Sequence, residues 1–135
     1  MIGLHNFDHV IEQIGDMISV IHYYDNDEKT SLMYIIKDRF NVVKAPTNLL
    51  KGRANINRHI ADAECLLFDD LDFSMLNWKS AGIMKELVHG DTADRKGVRV
   101  KAKRLIILTN QNVHESDIFS DNGLTRRCTF IDLLV

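Results

Sequence analysis

Three apolar runs in this chain end abruptly in polar residues of a kind that can do chemistry. Leu66-Leu67-Phe68 breaks into Asp69-Asp70, and Leu105-Ile106-Ile107-Leu108 breaks into Thr109-Asn110. Met17-Ile18-Ser19-Val20-Ile21 leads into a polar stretch, Asp25-Asn26-Asp27-Glu28-Lys29-Thr30. Two carboxylates at a strand end can hold Mg2+, a hard cation that prefers oxygen and usually takes only one or two ligands from protein. The second carboxylate can orient or deprotonate an attacking water. An amide on a neighbouring strand can hold that water or a terminal phosphate, which completes a phosphohydrolase arrangement. Taken alone, Asp69-Asp70 suits an ordinary turn or helix cap equally well.

A second signal is basic. Six of the ten residues from Arg95 to Arg104 are Lys or Arg, in a chain whose net charge is −2. Their alternation with Val98, Val100 and Ala102 puts several cations on one face of an extended segment, as phosphate contacts require. A solvated charged face is the plainer alternative. Arg126 and Arg127 stand together before the last apolar run, where they could also pair with surface carboxylates. The six histidines show no zinc spacing, and Cys65 and Cys128 belong to no Cys/His cluster, so free thiols are expected rather than a metal site or disulfide.

The elements that must position these groups alternate. Phe7, Val10, Ile11 and Ile14 after Asn6 predict a short capped helix, and Met17–Ile21 a strand. Leu32, Ile35, Ile36 and Phe40 predict a helix from Lys29 or Thr30. Asn41-Val42-Val43 closes at Ala45-Pro46 as a strand, and a helical stretch follows Thr47-Asn48 past Gly52 to Ile60. Cys65–Phe68 reads as a buried parallel strand. Trp78, Ile83, Leu87 and Val88 mark a helix ending at Gly90; Gly97–Lys103 suits one arm of a hairpin; Arg104–Thr109 and Cys128–Leu134 are strands. The 135 residues suffice for one core. The expected fold is α/β, a mainly parallel sheet flanked by helices with a basic β-hairpin, preceded over residues 1–16 by a helical lead-in. Ligands of such sheets gather at the carboxyl ends of the strands. No apolar run approaches bilayer length and Met1 opens no signal-peptide pattern, so an intracellular protein with no membrane partner is expected.

The order and spacing of these pieces over residues 17–135 resemble superfamily-three helicases, the family that includes replication proteins of circoviruses, geminiviruses and parvoviruses. Leu66–Asp70 is similar to the Walker B strand, Asp94–Val98 stands at the basic B′ motif, Leu105–Asn112 resembles motif C, and Leu124–Arg127 resembles the arginine-bearing segment. The resemblance implies a P-loop NTPase core of the AAA+ type. It implies ATP and Mg2+ as cofactors, Lys29 and Thr30 on the phosphates, Asp69 on Mg2+, Asp70 on the water and Asn110 as sensor. Arg126 or Arg127 would act on a neighbouring subunit's site in a homo-oligomer, a hexameric ring. Lys96, Arg99, Lys101 and Lys103 would grip single-stranded DNA, with RNA not excluded as the substrate.

One stretch departs from the pattern. The phosphate-loop positions read Tyr23-Tyr24-Asp25-Asn26-Asp27-Glu28-Lys29-Thr30, with Tyr23 and Glu28 in place of both glycines. Glycines let backbone N–H groups approach phosphate, and carboxylates repel it. Two functions therefore stay open: an ATP-dependent DNA helicase domain of a replication initiator, and a catalytically degenerate helicase-fold module that binds nucleic acid or an intact helicase. The nicking domain's His-x-His motif does not occur in the sequence.

Overall fold

The computed structural model describes residues 7–52, 56–90 and 98–133. It is an α/β fold of the P-loop-like kind: a five-stranded sheet in the order β2-β3-β4-β1-β5, every neighbouring pair parallel, with helices on both faces. The strands are β1 (Ile18–His22), β2 (Val42–Lys44), β3 (Cys65–Phe68), β4 (Arg104–Thr109) and β5 (Cys128–Asp132). The helices are α1 (Asp8–Gln13), α2 (Asn26–Arg39), α3 (Arg58–Asp62), α4 (Trp78–His89) and α5 (Asn122–Thr125).

β1, β3 and β4 are the strands with continuous apolar runs, and they occupy the interior of the sheet, where both faces must be dry. Side chains alternate between two cores. Ile18, Val20, Leu66, Phe68, Leu105 and Ile107 face the side covered by α3, α4 and α5. Ile21, Leu67, Ile106 and Leu108 face α1 and α2, meeting Val10, Leu32 and Ile36. The connection from β1 runs through α2 to the far edge at β2, whereas β4 connects in the opposite direction to β5. Right-handed crossovers then place α2 and α4 on opposite faces. In sheets of this topology ligands gather where the connections reverse, which here is at the carboxyl ends of β1 and β4.

Several boundaries differ from those expected. α2 starts at Asn26, one turn before Lys29, because the Asp25 carboxylate accepts from the backbone N–H of Glu28 at 2.8 Å and caps the helix earlier. After Pro46 the chain makes a 3-10 turn over Thr47–Lys51 that ends at left-handed Gly52, and α3 begins afresh with Asn57 as its cap. Asn6, the expected cap of α1, and Leu134, the expected end of β5, lie outside the described residues, as do Asp94, Arg95, Lys96 and Gly97. Of the basic segment, residues 98–103 run without a regular strand, with Arg99 in a single bridge. The alternation holds from Arg99 onward, with Val100 and Ala102 buried and Arg99, Lys101 and Lys103 exposed, but Val98 is exposed too. Among the described residues, no helix is long and apolar enough to cross a membrane.

Candidate functional site

The carboxyl ends of β1, β2 and β3 bring four charged side chains together. Asp69 and Asp70 leave β3 in succession, and Asp70 takes a left-handed backbone (φ 54°), a conformation that Asp tolerates better than most residues. Lys29 reaches back from the first turn of α2. Its Nζ donates to Asp70 Oδ2 at 3.1 Å and lies 3.4 Å from Asp69 Oδ1. Lys44, the last residue of β2, places its Nζ 3.4 Å from Asp69 Oδ2. Lys29 and Asp69 are largely buried, with side chains 13% and 17% exposed. Asp69 Oδ1 is buried without a hydrogen bond, so charge rather than a directed bond holds it.

This group carries two ammonium ions and two carboxylates and is neutral as a set. Its donor oxygens are of the kind Mg2+ takes. Here, however, a tethered cation already stands against both carboxylates, and the arrangement does not fit a metal ion while Lys29 remains there. Thr30 is exposed and lines, with Lys29, Met33, Tyr34, Lys37 and Asp69, a cavity of about 250 Å³ on the flank of α2.

The phosphate-loop positions are shaped differently from a loop that cradles an anion. Only Tyr23, Tyr24 and Asp25 separate β1 from α2. Tyr23 is a core residue, 2% exposed, whose N–H donates to the Thr109 carbonyl. At the helix N-terminus, where phosphate would meet free N–H groups, the Asp25 carboxylate already takes the Glu28 N–H. Asp27 and Glu28 add negative charge to the same turn.

Asn110 lies at the end of β4, exposed, and its carbonyl is 3.2 Å from His22 Nε2. The residue that ties β4 to the loop after β3 is its neighbour. Gln111 donates from Nε2 to Asp72 Oδ1 at 2.9 Å and accepts from the Phe73 N–H at 2.8 Å. Those bonds, first that from Gln111 and then those from Ser74, hold the Asp72 carboxyl below its ordinary range. Sequence reasoning missed both Gln111 and Lys44. Lys44 was legible as the last residue before Ala45-Pro46 closes a strand; Gln111 carried no signal beyond its place after a strand end.

The remaining predicted residues sit elsewhere. The Ile18 N–H donates to the Arg127 carbonyl, which fixes Arg126 and Arg127 at the amino end of the sheet. Five residues of β1 at about 3.3 Å each separate them from the Asp69 end by roughly 16 Å. Within one chain they do not meet Asp69. Arg127 instead packs on α4 and α5, with Nε and Nη2 3.2 and 3.0 Å from His89 Nε2 and Nη1 donating to the Gly123 carbonyl, while Arg126 is exposed. Arg99, Lys101 and Lys103 lie at this same amino end, leading into β4. Lys101 donates its N–H to the Ala61 carbonyl and pairs with Asp62 at 3.0 Å. The chain matches no protein-family model and no curated protein.

Among the described residues no group of three or more His, Cys, Asp or Glu side chains is arranged to hold a metal. Cys65 and Cys128 are both free, and burial pushes each thiol up to about 12.

Proposed function

We propose that this chain is a helicase-fold module that binds single-stranded nucleic acid through its amino-end cations and does not hydrolyse ATP. The observation that carries the reading is the pairing of Lys29 with Asp69 and Asp70. The lysine that should neutralise phosphate neutralises the carboxylates instead, and the capped first turn of α2 offers its Glu28 N–H to Asp25. An incoming polyanion would have to break the ion pairs and displace the cap against three nearby carboxylates. Arg99 and Lys103 are exposed beside a segment pinned by buried Val100 and Ala102, a rigid mount for sequence-indifferent phosphate contacts.

A second reading, the ATP-dependent helicase domain of a replication initiator, is favoured by one observation: Lys29, Asp69 and Asp70 do converge. It requires the first turn of α2 to unwind and Lys29 to leave Asp69, Thr30 to reach a phosphate, Asn110 to turn toward it, and Arg126 or Arg127 to arrive from another subunit of a ring. The two readings separate in one assay of ATP turnover with and without a single-stranded oligonucleotide, alongside Asp69→Ala. Oligonucleotide binding with no turnover is the expected result. Turnover stimulated by the strand and lost in Asp69→Ala would establish the second reading.

A further inference from the structure

A groove between the chain that follows β3 and the chain that follows β4 is used by neither reading. Two cavities that share Leu76 and Asp117 make it up. The first, about 530 Å³, is the more polar: it lies over Phe73 and is rimmed by Glu115, Ser116 and Asp117. The second, about 470 Å³, is the more apolar, with Leu76, Trp78, Ala81 and Ile118 in its wall. Trp78 is 77% exposed, and Met75, beside Leu76, is 53% exposed. Contiguous apolar groups left in water on a fixed frame mark contact surfaces, and tryptophan is prominent among their anchors. The frame is fixed here by local bonds. The Asn77 side chain accepts from the N–H groups of Lys79 and Ser80, and the Ser80 hydroxyl accepts from the Asn77 N–H. Across the groove the Asp121 carboxylate accepts from the Leu124 N–H and pairs with Lys85 at 2.9 Å, and Phe73 meets Phe119 edge-on at 5.2 Å.

The charge of the groove is negative. Among the described residues no hydrogen bond or ion pair engages the side chain of Glu115 or Asp117, and both are exposed. The cations nearby have other partners: Lys85 holds Asp121, Lys51 acts on Asp72, and Lys79 lies 5.6 Å from the Trp78 ring centre. Ser74 and Gln111 direct their side-chain donors to Asp72, and the Asn112 side-chain oxygen accepts from the His114 N–H. The Asn112 amino group, the Ser116 hydroxyl and the two carboxylates are what the first cavity still offers a ligand. Water solvates Glu115 and Asp117 while the groove is empty, so their preference for a cation rests on attraction between complementary charges.

We propose that this groove docks a basic peptide segment of a partner protein. An arginine or lysine occupies the first cavity against Glu115 and Asp117, and an apolar side chain of the same segment fills the second against Trp78. Burial of the apolar residue supplies most of the affinity, and the two carboxylates select the partner and speed its approach. The chain's own cations do not reach this place from within: Arg99, Lys101, Lys103, Arg126 and Arg127 all lie at the amino end of the sheet. A nucleic-acid backbone is disfavoured by the same charges that favour the peptide, which separates this groove from the amino-end surface. The inference rests on neither the nucleic-acid reading nor the ATP reading.

The test is selection of a random heptapeptide library, displayed on phage, against the full chain, with Glu115→Gln combined with Asp117→Asn as the control surface. Enriched peptides are expected to carry arginine or lysine within a few residues of an apolar side chain. Trp78 is the only tryptophan in the sequence, so its emission reports on the groove. A synthetic copy of an enriched peptide should shift that emission to the blue and saturate. By calorimetry it should bind the double variant at least about fivefold more weakly, Trp78→Ala likewise, and the unaltered chain less tightly as salt rises. All three substitutions change exposed side chains, and circular dichroism should show the fold unchanged. Absence of enrichment overturns the proposal, as does enrichment of peptides without basic residues or equal binding to the double variant. Sedimentation that shows the unaltered chain self-associating and the double variant monomeric also overturns it, by making a second copy the occupant. The assays contain no nucleic acid, so their result stands apart from that of the oligonucleotide assay.

Discussion

At the scale of single residues, the Lys29–Asp69–Asp70–Lys44 group makes two demands that can be checked. Because Lys29 and Asp69 are largely buried, removing Lys29 leaves the Asp69 charge with the half-exposed Lys44 as its one remaining partner in the group. Lys29→Met should destabilise the fold by about 3 kcal/mol in urea unfolding, and adding Asp69→Asn to it should recover much of that loss. If Lys29→Met alone is neutral, the pair does not hold the site shut. Acid sensitivity has a different origin. The carboxyls of Asp72, bonded by Gln111 and Ser74, and of Asp121, bonded by Lys85, both titrate below the ordinary 3.8. A carboxyl whose folded value is depressed stabilises the native state fully above its unfolded value and loses that contribution as pH falls through the folded value. Unfolding should therefore steepen below about pH 4, and Gln111→Ala should flatten that dependence, as followed by circular dichroism across an acid titration. The two thiols behave in the opposite sense. Raised from 9.0 to about 12, they favour the fold below pH 9 and lose that contribution as pH climbs toward 12. Iodoacetamide at pH 8 should label neither in native protein and both in urea.

The element that decides the functional reading is the junction of β1 and α2. Tyr23 occupies a position where a phosphate loop would carry glycine, but it is a buried core residue. Tyr23→Gly should cost about 3–5 kcal/mol of stability, as expected for emptying an aromatic site. Asp25→Ala should cost about 1 kcal/mol through loss of the cap. Neither change alone should create nucleotide binding, because Lys29 stays paired; ATP binding gained by Asp25→Ala alone would show that the cap, not the ion pair, closes the site. Much of this architecture was legible in the sequence. The apolar runs of β3 and β4, the carboxylates after β3 and the Gly90 stop of α4 follow from local pattern, and Gly90 takes the left-handed conformation that such a stop requires. The start of α2 was not legible, because Asp25, Asn26 and Asp27 can each cap a helix and the choice depends on the short span from a strand buried in the sheet. Nor was the orientation of Trp78, which opens α4 yet is 77% exposed, since the core stripe of that helix runs instead through Ala81, Met84, Leu87 and Val88. That Lys44 ends a strand was legible, but its meeting with Asp69, like that of Gln111 with Asp72, comes only through strand order, which no local pattern encodes.

For the molecule as a whole, the two ends of the sheet have different characters. The carboxyl end holds the neutralised cluster; the amino end gathers Arg99, Lys101, Lys103, Arg126 and Arg127. Binding of a single strand at the amino end should weaken with salt, with a slope near −2 for about three phosphate contacts. Arg99→Ala and Lys103→Ala should each lower that slope by about one, and Lys101→Ala by less because Lys101 already pairs with Asp62. Arg127→Ala should destabilise the fold by about 1–2 kcal/mol through its lost bonds to His89 and Gly123, whereas Arg126→Ala should stay within about 0.5 kcal/mol. On the proposed reading, the chain's own charges at Lys29, Asp69 and Asp70 keep nucleotide out. Calorimetric titration of the purified protein with millimolar ATP and Mg2+ tests it most directly. No binding heat is the predicted result, and saturable Mg2+-dependent ATP binding would contradict it.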